Sequence, residues 1–279
     1  YNGYGFLGEA VYNPFDILLF ISEGHSYRNY WFETGNPSFL IKLFQRQRYF
    51  LPDLEQLEVS EEILDSFDVE RINPITLLFQ SGYLTVVGTS IRRGRLIFHL
   101  AVPNQEVRLA LHDQLITGYT GIENERLRLQ DGLYEALAAG DVPALIAAIR
   151  RLFAGIPWRN FTGNDLAEAE GYYASVLYAF LASLDAQVIP EDISNHGQVD
   201  LTVRIAGYTY VMEIKLRRDA LPAGPADPAG ANPALAQIQA RGYSAKYRGA
   251  PGKGLFEVGL VFGRAERNLV QADWRAVGA

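Results

Sequence analysis

An α/β fold, a mixed sheet flanked by helices and preceded by a separate helical region, is what this chain predicts, on three observations. From Gly197 to Leu216 apolar and polar residues alternate on both sides of Ala206-Gly207, the pattern of a half-buried β-hairpin. Helical stripes flank it: Leu166, Ala169, Tyr173, Val176, Leu177, Phe180, Leu181 and Leu184 before it, and Leu235, Ile238, Gly242 and Ala245 after it. With 48% hydrophobic and 20% charged residues, 279 residues fill about two ordinary cores.

In chain order, the opening reads as helical, with helices at Pro14 to Gly24 and Pro37 to Arg48 and a short one starting at Ser60 with Glu62 to Leu64. Pro74 to Ser81 follows as a helix, Tyr83 to Val87 and Arg95 to Ala101 as a hairpin around Arg92-Arg93-Gly94, and Glu106 to Ile116 as a helix. Arg126 to Phe153 gives two helices broken at Gly140-Asp141-Val142-Pro143. The first stripe and the hairpin come next. Asp219 to Pro233, rich in Pro and Gly and without periodicity, reads as a loop; Ala234 to Tyr247 is a helix and Leu255 to Phe262 a strand. The domains divide as 1–122, a helical connector, and 123–279, the sheet-bearing domain.

Centring the turn on Ala206-Gly207 pairs Ile205 with Tyr208, and counting outward sets Asp200 opposite Glu213. Val199, Leu201, Val203 and Ile205 then share a face with Tyr208, Tyr210, Met212, Ile214 and Leu216, and a one-residue slip would mix the faces. The other face carries Asp200, Thr202, Arg204, Thr209, Val211, Glu213 and Lys215. Like charges placed directly opposite cost roughly 0.2 to 1 kcal/mol, so a positive partner is expected between the carboxylates. A divalent cation with Lys215 beside it answers that need.

An Asp, about a dozen residues and then Glu-x-Lys on adjacent strand ends resembles the active site of the PD-(D/E)xK nuclease superfamily, with Asp200, Glu213 and Lys215 in the motif positions. The resemblance implies metal-dependent phosphodiester hydrolysis of nucleic acid, with DNA the expected substrate. Asp200 and Glu213 would hold Mg²⁺ or Mn²⁺, with the Ile214 carbonyl as a further ligand, and Lys215 would act on the water and the transition state. Glu170 and Gln237 would support the site. From the pattern alone Glu170 has two readings: a carboxylate on the buried stripe that needs a partner, or a charge in an exposed first turn that suits the helix dipole.

Glu170-Gly171-Tyr172-Tyr173 and Gln237-Ile238, Gly242-Tyr243, Lys246-Tyr247 are similar to the nuclease-like domain of a large family of AAA-type ATPases. So are Tyr12-Asn13-Pro14, the run Asn29 to Gly35, Leu77 to Leu84 and Pro103 to Val107. That resemblance implies an ATPase module of the same full-length protein as a partner. This chain lacks a G-x-x-x-x-G-K-[ST] motif, Gly249-Ala250-Pro251-Gly252-Lys253-Gly254 having neither its spacing nor its hydroxyl. The chain, which does not begin with Met, is therefore read as a fragment to which ATP hydrolysis is not assigned.

The helix and hairpin between residues 74 and 101 resemble a winged helix. Arg92, Arg93 and Arg95 could form a basic wing on DNA, but with acids dominating this half the connector role is favoured. Net charge is -7, yet residues 204–253 hold eight Lys or Arg against three acids. Arg217, Arg241 and Lys246 in that stretch are the candidate nucleic-acid contacts. A non-catalytic nuclease-fold module that binds nucleic acid or a partner without cutting stays open as the alternative.

The absence of Cys excludes disulfides, thiolate metal sites and cysteine nucleophiles. No apolar run spans a membrane and no signal peptide is evident, so a cytoplasmic protein is expected. His25, His99, His112 and His196 lack ligand spacing and are expected to pack or face solvent, with His196 near enough to Asp200 in sequence to enter a cleft. Ser81 lacks a nucleophile elbow. Trp31, Trp158 and Trp274 are expected as core anchors.

Overall fold

The computed structural model describes all residues except 6, 29, 31–37, 48, 56, 66–72, 162–168, 219–229 and 279. Leu166, Trp31, most of the run Asn29 to Gly35 and most of the loop expected at Asp219 to Pro233 lie outside the described residues. The chain forms two compact units. One comprises residues 1–49 and 53–118, the other 50–52 and 119–279.

The first unit opens with a short antiparallel pair, β1 (Asn2–Tyr4) and β2 (Val11–Tyr12), where a helical opening was expected. Helices α1 (Pro14–Ser22), α2 (Ser38–Gln47), α3 (Glu61–Asp65) and α4 (Pro74–Gln80) follow. Asn13 and Asn73 each cap a helix whose first residue is proline, accepting from the N–H two residues on. A three-stranded antiparallel sheet has the order β3 (Leu57–Ser60), β5 (Arg95–Ala101), β4 (Thr85–Arg92). The four residues of β3 are too few for a sequence signal. Arg92, one of the three wing arginines, is tied to Glu58 of β3 through two hydrogen bonds of 2.5 and 2.7 Å. Helix α5 (Gln105–Thr120) ends near the division between the units, with His112 buried in it; burial, then Arg108, push this imidazole down to about 3, so it is a neutral packing residue.

The second unit is a five-stranded mixed sheet of order β10 (Asn268–Val277), β9 (Gly254–Gly263), β8 (Tyr208–Arg217), β7 (Gly197–Ile205), β6 (Gln187–Ser194). Only β8 and β9 run parallel. Two helices, α6 (Arg126–Ala139) and α7 (Val142–Ala154), meet at Gly140 and the N-cap Asp141, where the sequence pattern breaks. Helix α8 (Glu170–Ala182) is buried on all sides beyond its first turn. Tyr210 Oη donates to the Leu137 carbonyl at 2.6 Å, and Phe153, Tyr173 and Phe262 form a ring cluster, so α6 to α8 cover one face of the sheet.

Helix α9 (Pro233–Arg241) covers the other face. It stops earlier than the expected Tyr247, because Gly242 turns left-handed at φ +61 and Tyr243–Tyr247 tighten into a 3₁₀ turn. Tyr243 and Ser244 are therefore buried, and Ala245, expected inside, is exposed. Its start is fixed by Asn232, whose Oδ1 caps Ala234 and Leu235 while its Nδ2 donates to the Gly259 carbonyl at 3.0 Å. A Cβ on Gly259 would lie 2.3 Å from the Leu235 nitrogen, so only glycine lets α9 come this close to β9. Trp158 and Trp274 are both exposed, which corrects their expected place in the core: Trp158 lies in a short 3₁₀ helix, and Trp274 on the edge strand β10 meets the Phe256 ring edge-on.

Candidate metal and phosphate site

The hairpin turn falls at Ala206 and Gly207, both at positive φ, and the ladder pairs Ile205 with Tyr208 through Leu201 with Met212. That is the expected register, and its next step sets Asp200 against Glu213. Regular pairing stops there. On the other side of β7, the ladder to β6 passes from Pro190 opposite Leu201 to Asp192 opposite Val199 without a pair at Asp200, and Glu191 has φ +45. Past this gap Val199 no longer shares the face of Leu201; it packs with Val211, Ile238, Tyr243 and Leu255 under α9. This corrects the expected face of Val199. The irregularity frees the Asp200 side chain from the ladder, and its Oδ2 accepts the Ile214 N–H at 2.7 Å.

Glu213 is 2% exposed. Its Oε1 accepts from Lys215 Nζ at 2.8 Å and from Gln237 Nε2, while its Oε2 is buried without a hydrogen-bond partner among the described residues. Glu170 is the first residue of α8, its side chain part-exposed; Oε2 accepts the Leu216 N–H at 2.9 Å and Oε1 lies 3.9 Å from Lys215 Nζ. Its two sequence readings are thus joined: it occupies a helix's first turn and also reaches the end of β8. Asp200, Glu213, Lys215, Glu170 and Gln237 come together from four elements, β7, β8, α8 and α9.

Burial, then the charge of Glu213, push the Asp200 carboxyl up to about 7, against the pull of the Ile214 N–H and Lys215. Burial also raises Glu213 despite its bond to Lys215. For Lys215, burial lowers the pKa, but the hydrogen bond to Glu213 and the surrounding carboxylates outweigh it and the ammonium is held charged. Two desolvated carboxylates that resist ionisation together favour a cation between them, and the bare Glu213 Oε2 is an acceptor for one. The donor set is all oxygen, suited to Mg²⁺ or Mn²⁺. These residues therefore fit a divalent ion. Against a fuller ligand set, no group of three His, Cys, Asp or Glu gathers for a metal among the described residues.

The three candidate nucleic-acid contacts differ in their surroundings. Arg241 is exposed at the end of α9, and Arg217 lies 3.5 Å from Glu266. Lys246 is exposed but engaged: its Nζ donates to Asp192 and to the Ile193 carbonyl, and Tyr247 and Thr202 also donate to Asp192. No local pattern around Lys246 pointed to that partner. His196 is exposed in the β6–β7 turn.

Residues 168–272 match the family model of the PD-(D/E)XK nuclease superfamily, and this stretch is a domain of that superfamily. It contains all five clustered residues. A protein of Azotobacter chroococcum mcd 1 described as "Uncharacterized protein in vnfD 5'region" is 39% identical over 270 residues, covering 97% of this chain and 50% of the relative. The chain thus spans about half the length of the curated relative it matches. No solved structure matches it.

Proposed function

We propose that this chain carries out metal-dependent phosphodiester hydrolysis of nucleic acid, with DNA as substrate, at the end of the β7–β8 hairpin. The observation that carries the reading is the convergence of Asp200, Glu213 with its bare Oε2, and Lys215 within a PD-(D/E)XK domain. Asp200 and Glu213 would hold the ion, with the Ile214 carbonyl beside them. When bound, Mg²⁺ or Mn²⁺ supplies a Lewis acid and lowers the pKa of water. Lys215 orients the attacking water and its ammonium stabilises the charge that develops on the phosphoryl oxygens. Gln237 and Glu170 position Lys215 and Glu213. Arg217 and Arg241 meet the phosphate backbone, with Lys246 the least available of the three because Asp192 holds it.

An AAA-type ATPase module of the same full-length protein belongs to this reading through the sequence resemblance alone, and so does the nuclease-like domain at 123–279; the connector role of the winged-helix-like region within residues 1–122 and a cytoplasmic location belong to it as expectations from composition and hydropathy. Among the described residues no helix is long and apolar enough to cross a membrane.

A non-catalytic module is the second reading. It is favoured by the engagement of Glu213 Oε1 with both Lys215 and Gln237 and by the lack of a third gathered ligand. Incubation of linear duplex and single-stranded DNA with Mn²⁺ or Mg²⁺ separates the two. Cleavage that disappears in Asp200→Asn supports hydrolysis; intact DNA under both metals leaves the non-catalytic module as the better account.

A further inference from the structure

At the opposite end of β8 from Glu213 lies a cavity of about 270 Å³. The described residues lining it include Arg204, Arg248 and Lys253 and no Asp or Glu, in a chain of net charge -7. Thr209 adds a hydroxyl group, while the Tyr247 hydroxyl is donated to Asp192. Its rim is Gly249 to Gly254, the glycine-rich run whose spacing does not fit a nucleoside triphosphate loop. The fold holds that run in place: Lys253 N–H donates to the Gly207 carbonyl at 2.7 Å, and a Cβ on Gly252 would lie 2.8 Å from the same oxygen. Lys253 Nζ sits 5.5 Å from the centroid of the Tyr208 ring, which keeps the ammonium at the rim without neutralising it. Among the described residues Arg204 makes only a long 3.4 Å contact, to the neutral Gln187.

Three cations around a pre-shaped, acid-free cavity select an anion, and guanidinium forks and an ammonium suit phosphate. Thr209 and Glu213 are four residues apart on β8 and so share a face, separated by about 13 Å at roughly 3.3 Å per residue. That is the span of a few nucleotides of one strand.

We propose that this cavity is a phosphate-binding subsite that holds the nucleic-acid backbone a few nucleotides from the carboxylate cluster. It rests on the reading of the chain as a nucleic-acid enzyme, and it explains the basic stretch 204–253 as two separate surfaces: Lys215 and Arg217 at one end of β8, Arg204, Arg248 and Lys253 at the other.

The test measures binding without chemistry. Fluorescence anisotropy of a labelled single-stranded 16-mer is recorded in EDTA between 50 and 200 mM NaCl for the wild type, Arg204→Ala/Arg248→Ala, and Lys42→Ala as an exposed control cation in the other unit. The double variant is expected to bind about 10-fold more weakly and to flatten the slope of log K against log salt by about 1.4, two lost contacts at about 0.7 each. Lys42→Ala should match the wild type. Should the double variant misfold by circular dichroism, Arg248→Ala alone, an exposed site, is expected to flatten the slope by about 0.7. An unchanged affinity and slope in the folded variants, or no DNA binding by the wild type, overturns the subsite. Titration with inorganic phosphate identifies the source: if phosphate binds the wild type but not the variant while DNA affinity is equal in both, the cavity takes free phosphate and the backbone assignment falls. Loss of DNA binding in the variant, in a wild type that cuts nothing with Mn²⁺, upholds the subsite while removing the hydrolytic reading.

Discussion

Glu213 and Glu257 lie on neighbouring parallel strands, two ladder steps apart, since Val211 faces Glu257 and Glu213 faces Gly259. Both are buried, at 2% and 0% exposure. Glu257 is satisfied on both oxygens: Ser244 donates to Oε1, and Arg275 donates to Oε2 at 2.6 Å and to Oε1 at 3.2 Å. Glu213 has its donors on Oε1 and a bare Oε2, with Asp200 beside it. A buried carboxylate costs several kcal/mol unless it is fully paired, so the sheet completes the pairing of one glutamate and leaves the other open to a ligand. The first unit offers a third case. Asp16 is 0% exposed with both oxygens unpartnered among the described residues, and burial, then Glu106, push it up to about 6, where a neutral acid needs fewer donors.

The largest effect expected from this contrast is on cleavage. Lys215→Ala should lower the rate about 10²- to 10³-fold, a loss of the size seen when one transition-state donor is removed, while Mg²⁺ binding by calorimetry stays near the wild-type value. Asp200→Asn should lose both. Wild-type cleavage by Lys215→Ala would remove the ammonium from the mechanism.

Next in size is stabilisation by metal. Mg²⁺ at 100 times its Kd should stabilise the wild type by about 2.7 kcal/mol and Asp200→Asn not at all, read as a shift in the thermal midpoint. An equal shift in Glu257→Gln and in the wild type is also expected, because Glu257 has no open oxygen; a shift lost in Glu257→Gln would erase the distinction between the two glutamates.

Breaking the structural pair should cost less. Arg275→Ala is expected to destabilise by roughly 2 kcal/mol, below the ~3–5 of a fully buried pair because the guanidinium is half exposed. Urea unfolding measures it, and cleavage per folded molecule should be unchanged.

The smallest effect concerns pH without metal. Asp200 and Asp16 bind their protons more tightly folded than unfolded. The stability each contributes is complete below pH ~4, near the carboxyl range of an unfolded chain, and is lost as pH rises through about 7 and about 6, respectively. In EDTA, Asp200→Asn and Asp16→Asn should each gain on the order of 1 kcal/mol relative to the wild type between pH 5 and 8. Thermal midpoints across that range check this; a gain that falls instead of rising with pH would reverse the sign assigned to burial.

Much of the second unit was legible because period-2 and period-3.6 patterns are local. Alternation around Ala206-Gly207 determined the hairpin, its register and the approach of Asp200 to Glu213, and the break at Gly140-Asp141 determined where α6 gives way to α7. Gln237 was placed near the site by the family resemblance and not by periodicity, which set it outside the inward stripe of Leu235 and Ile238. The strands β6 and β10 were not legible, since Pro190 interrupts one and the other is an exposed edge strand of mixed polarity.

What only the tertiary structure decided was which charges meet. Nothing local to Lys246 indicates that Asp192 will claim it, or that Arg275 will complete Glu257, because those partners lie 54 and 18 residues away in sequence. The gap in the β6–β7 ladder that turns Val199 under α9 and releases Asp200 likewise follows from packing between strands. Hydrophobic alternation specifies a face through the chain's own geometry, whereas an ion pair or an open carboxylate oxygen depends on which distant donors the finished sheet brings within hydrogen-bond reach.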